Sequence, residues 1–116
     1  MDYMKHLGMS VVEAKEGYAH LEMEITPTSL NYFGYVHGGV YFSLSDTTAG
    51  YATHAYEGSY ITLNSSINYL KGIQEGVLSA KATVLNKTRK TVVIDVKTYS
   101  NEILCTQATI TMYRVA

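Results

Sequence analysis

The chain alternates apolar and polar residues in several runs, interrupted by one long stretch that does not alternate. Residues 18–25 place Tyr18, His20, Glu22 and Glu24 on one side and Ala19, Leu21, Met23 and Ile25 on the other. A period of two with one apolar side predicts a strand buried on one face. Residues 60–70 likewise set Ile61, Leu63, Ser65, Ile67 and Tyr69 on one face, and residues 77–86 gather Leu78, Ala80, Ala82 and Val84. Residues 91–99 form a continuous run rich in β-branched side chains, and residues 103–113 gather Leu104, Thr106, Ala108, Ile110 and Met112. Polar turns at 71–76, 86–90 and 100–102 separate the last four runs, which predicts an antiparallel meander. Residues 9–12 predict a short strand followed by a polar turn over 13–17. Residues 1–7 predict a short helix stopped by Gly8, and residues 26–36 a loop.

Residues 38–55 contain no proline, and Val40, Leu44, Tyr51 and Ala55 fall near helical spacing. Gly, Ser, Thr and Tyr dominate the segment, so its intrinsic helix propensity is poor and packing has to hold it. Its small side chains would let a sheet wrap closely around it. One domain spanning residues 1–116 follows, of α+β class: a curved antiparallel sheet around a central helix.

Composition adds one inference about surface. Hydrophobic residues make up 47% and charged residues 16%, against about 25% charged in ordinary domains, so part of the surface is expected to be hidden. With 9 basic and 10 acidic residues, no positive field exists to attract nucleic acid or an anionic membrane. No apolar run is long enough to span a membrane, and the N-terminus lacks a secretory pattern. The single Cys105 lies in a strand pattern and reads as a small buried hydrophobe. These features suit a reducing, cytoplasmic setting. Eleven tyrosines against two phenylalanines and no tryptophan suit half-wet interfaces and pocket walls.

Candidate chemistry is confined to one region. Phosphate-binding glycine loops and a nucleophile elbow are absent. His6, His20, His37 and His54 do not sit at metal-ligand spacings, so no metal site is expected. The segment from Asn31 to Gly39 enters the predicted helix through Gly38 and Gly39. The first amides of a helix lack internal partners and lie at the positive end of its dipole. Glycine there permits close approach of a ligand, and the amides could hold an oxyanion; the plain alternative is a turn. Asp46 is the only charge in residues 38–55, taking His54 as neutral. Its neighbours three and four residues away are Phe42, Ser43, Ala49 and Gly50, a setting in which a carboxylate needs a purpose or a partner; the plain alternative is a solvated aspartate. Gly38 and Asp46 stand roughly 12 Å apart on one helix at 1.5 Å per residue. One carbonyl cannot reach both. Either they are unrelated, or each works with its counterpart on a second chain, as two antiparallel helices about a twofold axis would allow.

The residues Asn31, Gly34, His37, Gly38, Gly39 and Asp46, at their spacings, resemble the hotdog-fold acyl-CoA thioesterases of the phenylacetate-pathway (PaaI-like) group. The resemblance covers about residues 18–113 in element order, and Ser66-Ile67-Asn68-Tyr69-Leu70 looks like that family's strand after the helix. One departure is Lys71-Gly72, where many relatives carry a basic residue followed by proline. The resemblance implies hydrolysis of an acyl- or aryl-acyl-CoA to the free acid and CoA. It implies Asp46 as general base or nucleophile, Gly38 as the backbone donor to the carbonyl, Asn31 and His37 as positioning residues, and Thr62 as a hydroxyl orienting the nucleophile or water. It implies a site combining Asp46 and Thr62 of one protomer with Asn31, His37 and Gly38 of its neighbour. A homodimer, pairing further into a tetramer, is expected. His37 as general base is the competing assignment. No cofactor is expected, since CoA arrives as part of the substrate. Gly39 and the aromatic residues Tyr32, Phe33, Tyr35 and Tyr51 are expected to line the substrate pocket, and Arg89 and Lys90 to meet the CoA phosphates. The alternatives are a non-catalytic acyl-CoA binding module and a hotdog dehydratase or hydratase.

Overall fold

A computed structural model describes residues 2–116. The chain runs α1 (Tyr3–His6), β1 (Met9–Lys15), β2 (Tyr18–Glu24), a 3-10 turn (Pro27–Ser29), α2 (Gly38–Ala52), β3 (Tyr60–Tyr69), β4 (Val77–Lys87), β5 (Thr91–Ser100) and β6 (Ile103–Arg114). All strand pairs are antiparallel, in the order β1-β2-β4-β5-β6-β3. The sheet curves around α2, which is the hotdog arrangement. The expected first helix is present as α1, started by the Asp2 carboxylate accepting from the Met4 and Lys5 amides; Met1 lies outside the described residues. Gly8 takes the left-handed conformation, with φ +76°, that only glycine adopts without strain.

The helix is held by the sheet. Its buried face is Tyr41, Leu44, Ser45, Thr48, Ala49 and Ala52. Below it lie Ala19 and Leu21 of β2, Ala80 and Ala82 of β4, and Val96 and Ala108 of β5 and β6, all fully buried. Ala19 and Ala82 are register partners, so a shallow alanine floor brings the helix axis close to the strands. Burial of this kind compensates for the poor propensity of a Gly-, Ser- and Thr-rich helix. Thr48 satisfies its hydroxyl by donating to the Leu44 carbonyl at 2.6 Å.

Several expectations need correction. Residues 13–15 are not a turn: β1 continues to Lys15 past a bulge between Val11 and Glu13. As an edge strand it pairs its backbone with β2 while every side chain after Met9 is exposed, so no alternation marks it. The helix stops at Ala52, not Ala55, where the Thr53 hydroxyl donates to the Gly50 carbonyl at 2.8 Å. Its buried stripe includes Leu44 but not Val40, Tyr51 or Ala55. In β3 a bulge at Leu63 shifts the phase: Thr62 pairs with buried Met112 and Ser65 with buried Ile110. Thr62, Ser65, Ile67 and Tyr69 therefore share the helix side, and Ile61 and Leu63 are exposed. A second bulge, in β6, turns Cys105 into the core.

Cys105 is fully buried, and its carbonyl accepts from the amides of Leu70 and Lys71 at 2.8 and 3.1 Å. Burial pushes its thiol above the usual range, so it stays protonated and shielded. The native protein is expected to leave Cys105 unmodified under a thiol reagent near neutral pH and to react fully in denaturant. Stoichiometric labelling of the folded protein, counted by mass, would contradict this assignment.

Candidate active site

A tight loop builds the entrance to α2. The Asn31 side-chain oxygen accepts from the amides of Phe33 and Tyr35 at 2.9 and 3.1 Å. The Asn31 amide donates to the Tyr35 carbonyl at 2.6 Å, and Gly34 donates back to Asn31 at 3.0 Å. Gly34 has φ +82°, the conformation its turn demands. A bridge between Leu30 and Val36 closes the loop. Below it, the Val36 amide donates to Ile73 and the His37 amide to Ser29, each at 2.9 Å. Tyr35 lies on Gly72, where a Cβ would come within 3.2 Å of its ring. Gly72 thus makes room for the Tyr35 ring.

His37 caps the helix. Its Nδ1 accepts from the Gly39 amide at 3.0 Å, and its carbonyl accepts from Val40 at 2.9 Å. In neutral His37 this leaves the proton on Nε2. Among the described residues, the Gly38 N–H has no acceptor. Tyr69 braces it from β3: its hydroxyl donates to the Gly38 carbonyl at 3.1 Å, and a Cβ on Gly38 would lie 3.4 Å from its ring. Tyr41 stacks edge-on against Tyr69, with ring centroids 5.9 Å apart. Neither tyrosine was singled out as a site residue by the sequence. Alternation placed Tyr69 on the correct face of β3, and that was the available signal.

Asp46 lies on α2, half-buried, and Oδ1 accepts from the Thr62 hydroxyl at 2.6 Å. The bulge at Leu63 makes this contact, because without it Thr62 would face away from the helix. Oδ2 has no partner among the described residues. Thr62→Val is expected to lower any turnover that depends on Asp46 by about tenfold to a hundredfold, the scale of one hydrogen bond to a charged group. A steady-state rate within twofold of the parent would remove Thr62 from the site.

Within one chain the expected residues form two groups. Asn31, Tyr35, His37, Gly38 and Gly39 stand at the helix N-terminus, and Asp46 with Thr62 two turns further on. The four aromatic residues expected to line the substrate pocket do not form one group within a chain. Tyr32 and Phe33 project into solvent, and Tyr51 lies at the other end of α2, its hydroxyl on the Met4 sulfur at 3.4 Å and its ring against His54. Separation along the helix keeps them apart. Arg89 and Lys90 occupy the β4–β5 turn and border a small hollow with Arg114. Lys71 follows the other end of β3 and is not part of that cluster.

Residues 33–106 match the thioesterase superfamily. The chain belongs to that superfamily. A putative esterase from Archaeoglobus fulgidus is 34% identical over 94% of this chain and 72% of its own length. The acyl-coenzyme A thioesterase PaaI of Escherichia coli is 30% identical over 95% of this chain and 76% of its own length. The solved structure of that PaaI superposes with a TM-score of 0.94, covering 97% of this chain and 83% of the other, at 27% identity. A hypothetical thioesterase from Streptococcus pneumoniae, solved with coenzyme A, gives a TM-score of 0.89 and 32% identity over 94% and 90% of the two chains. As a member of the thioesterase superfamily with PaaI-like relatives, the protein is a thioester hydrolase. Among the described residues no helix is long and apolar enough to cross a membrane.

Proposed function

We propose that this chain hydrolyses an acyl- or aryl-acyl-CoA thioester to the free acid and CoA, in a site shared by two copies. One observation carries the proposal. Asp46, the sole carboxylate of α2, is held by Thr62 at 2.6 Å, about 12 Å along the helix from the free Gly38 N–H. A twofold pair of antiparallel helices brings the Gly38 N–H of one copy to the Asp46 of the other. The PaaI relative, named as an acyl-CoA thioesterase, and the coenzyme A in the streptococcal structure support CoA as the thiol component.

The chemistry follows from the groups. A thioester carbonyl is weakly resonance-stabilised and its thiolate leaves readily. The Gly38 N–H receives the charge that develops on the carbonyl oxygen. Asp46 takes a proton from water as the water oxygen attacks the carbonyl carbon, and collapse of the adduct breaks the C–S bond and expels CoA thiolate. In the nucleophilic variant, Asp46 attacks and expels the thiolate, and water then opens the mixed anhydride. Thr62 holds Oδ1 so that Oδ2 faces the reacting carbon. His37 serves as cap and Nε2–H donor, since acting as base through Nδ1 would break its bond to Gly39. Asn31 spends its oxygen on the loop and keeps its amide N–H groups for the ligand. Arg89 and Lys90 meet the CoA phosphates, and the reaction needs no further cofactor. A cytoplasmic location, where acyl-CoA thioesters occur, belongs to this reading.

A thiol-release assay over phenylacetyl-, hydroxybenzoyl-, short- and medium-chain acyl-CoAs tests the proposal. Turnover on at least one of them is expected. Tight binding of acyl-CoA without release from any would instead identify a binding module.

A further inference from the structure

Strand β3 touches both halves of the site. Thr62 and Tyr69 stand an odd number of positions apart on it, so an unbroken strand would turn them to opposite faces. The bulge at Leu63 lets both face α2. Thr62 donates to the Asp46 carboxylate, and Tyr69 donates to the Gly38 carbonyl. The first contact holds a side chain and the second holds backbone.

That backbone needs holding. The first turn of α2 opens on two glycines, and the first amides of a helix have no partner within it. The Gly38–Gly39 peptide is gripped at both ends, its N–H by His37 Nδ1 at 3.0 Å and its C=O by the Tyr69 hydroxyl at 3.1 Å. The peptide before it carries the free Gly38 N–H, and its C=O accepts from Val40 at 2.9 Å. His37 and Val40 belong to the turn and move with it. Of these three anchors, Tyr69 alone reaches the turn from the sheet. Tyr69 is itself well fixed. Its backbone pairs with Thr106, and its ring meets the buried Tyr41 ring, whose hydroxyl donates to the Lys71 carbonyl at 3.5 Å.

We propose that Tyr69 is a positioning residue for thioester hydrolysis: by pinning the Gly38–Gly39 peptide it aims the Gly38 N–H at the substrate carbonyl. The inference rests on the reading of Gly38 as the carbonyl donor in a shared site. A donor fixed before the oxyanion forms stabilises it without reorganising. The gain is realised in the transition state, so it shows in kcat and not in KM. In a pair of chains the two contacts of one β3 then serve different sites, Thr62 the carboxylate of one and Tyr69 the donor of the other.

Tyr69→Phe keeps the ring and its stacking on Tyr41 and removes one hydroxyl. Amide hydrogen exchange, followed by NMR on the free protein, reads the pin directly. Exchange at Gly39 is expected to quicken about tenfold, the protection given by one hydrogen bond, with Gly50 of the same helix unchanged. For the best thioester substrate, kcat is expected to fall about tenfold, less than the loss of a donor outright, with KM and the thermal midpoint close to the parent's. Unchanged exchange overturns the pin. Quicker exchange with kcat intact overturns the positioning role, and so does a fall in kcat that only follows the folded fraction.

Mixing chains locates the effect. After subunit exchange between Tyr69→Phe and Asp46→Ala chains, one site of each mixed pair carries both lesions and the other carries neither. Activity is expected to rise from about a twentieth of the parent's to about a quarter. No rise, where Asn31→Ala with Asp46→Ala does recover, takes Tyr69 off the Gly38 side and overturns its role while the shared site stands. If neither mixture recovers, the shared site falls, and exchange with kcat decides Tyr69 alone. A parent silent on every thioester overturns the role together with the reading beneath it.

Discussion

Asp46→Ala is expected to lower kcat for thiol release by about 10²–10⁴-fold, the usual contribution of a positioned general base. The fold should survive the change. Asp46 is half-buried, and its hydrogen-bond partner Thr62 is exposed, so water can take up the freed hydroxyl at little cost. Thermal unfolding by circular dichroism is expected to stay within a few degrees of the parent. Asp46→Asn sharpens the experiment, because its amide oxygen can still accept from Thr62 while the charge and the basicity are gone. Both variants are expected to be equally impaired. An Asn variant within tenfold of the parent would mean that shape, not the carboxylate, matters at this position. A rise in KM with kcat intact would mean that the group only binds.

The second large effect is a recovery. Asp46→Ala and Asn31→Ala chains are each expected to be nearly inactive, the first lacking the carboxylate and the second the side chain that organises the turn ahead of Gly38. In a mixed pair one of the two sites carries both lesions and the other carries neither. Random exchange at equal concentrations makes half the pairs mixed, so about a quarter of the parent's activity should return. The measurement is specific activity of the mixture against time after demonstrated subunit exchange. A mixture that stays as inactive as its components would place the whole site within one chain. The 12 Å between helix end and carboxylate would then need another explanation.

β2, β3, β4 and β6 were legible from a period of two, and β5 from its unbroken β-branched run. Of the edge strand β1 only residues 9–12 were, since an edge can be held by its backbone alone while its side chains after Met9 all face water. The helix was legible as a segment, but its buried face was not. With Gly, Ser, Ala and Thr on most sides, no apolar stripe stands out, and the sheet decides which side is inside. In the site, Asp46 stood out as the one charge on a small-residue helix. Thr62 did not follow from pattern at all. Strict alternation turns Ile61 and Leu63 inward and Thr62 outward, and only the family resemblance pointed to it. Tyr69 was missed as a brace for Gly38 because a tyrosine on an inward face reads as packing. Tyr32, Phe33 and Tyr51 could be picked as aromatic residues suited to a pocket, but sequence cannot show that one chain keeps them at opposite ends of a helix.

The bulge at Leu63 carries a consequence for how this site is inherited. A hydroxyl at position 62 faces the carboxylate because of one supernumerary residue, not because of any particular side chain at 63. Loss of that residue would leave the composition of β3 almost unchanged and swing Thr62 to the far face. Among relatives, the length of this strand should therefore track hydrolytic competence more closely than the identity of the residue at position 63. An alignment that slides a gap through β3 would hide the difference.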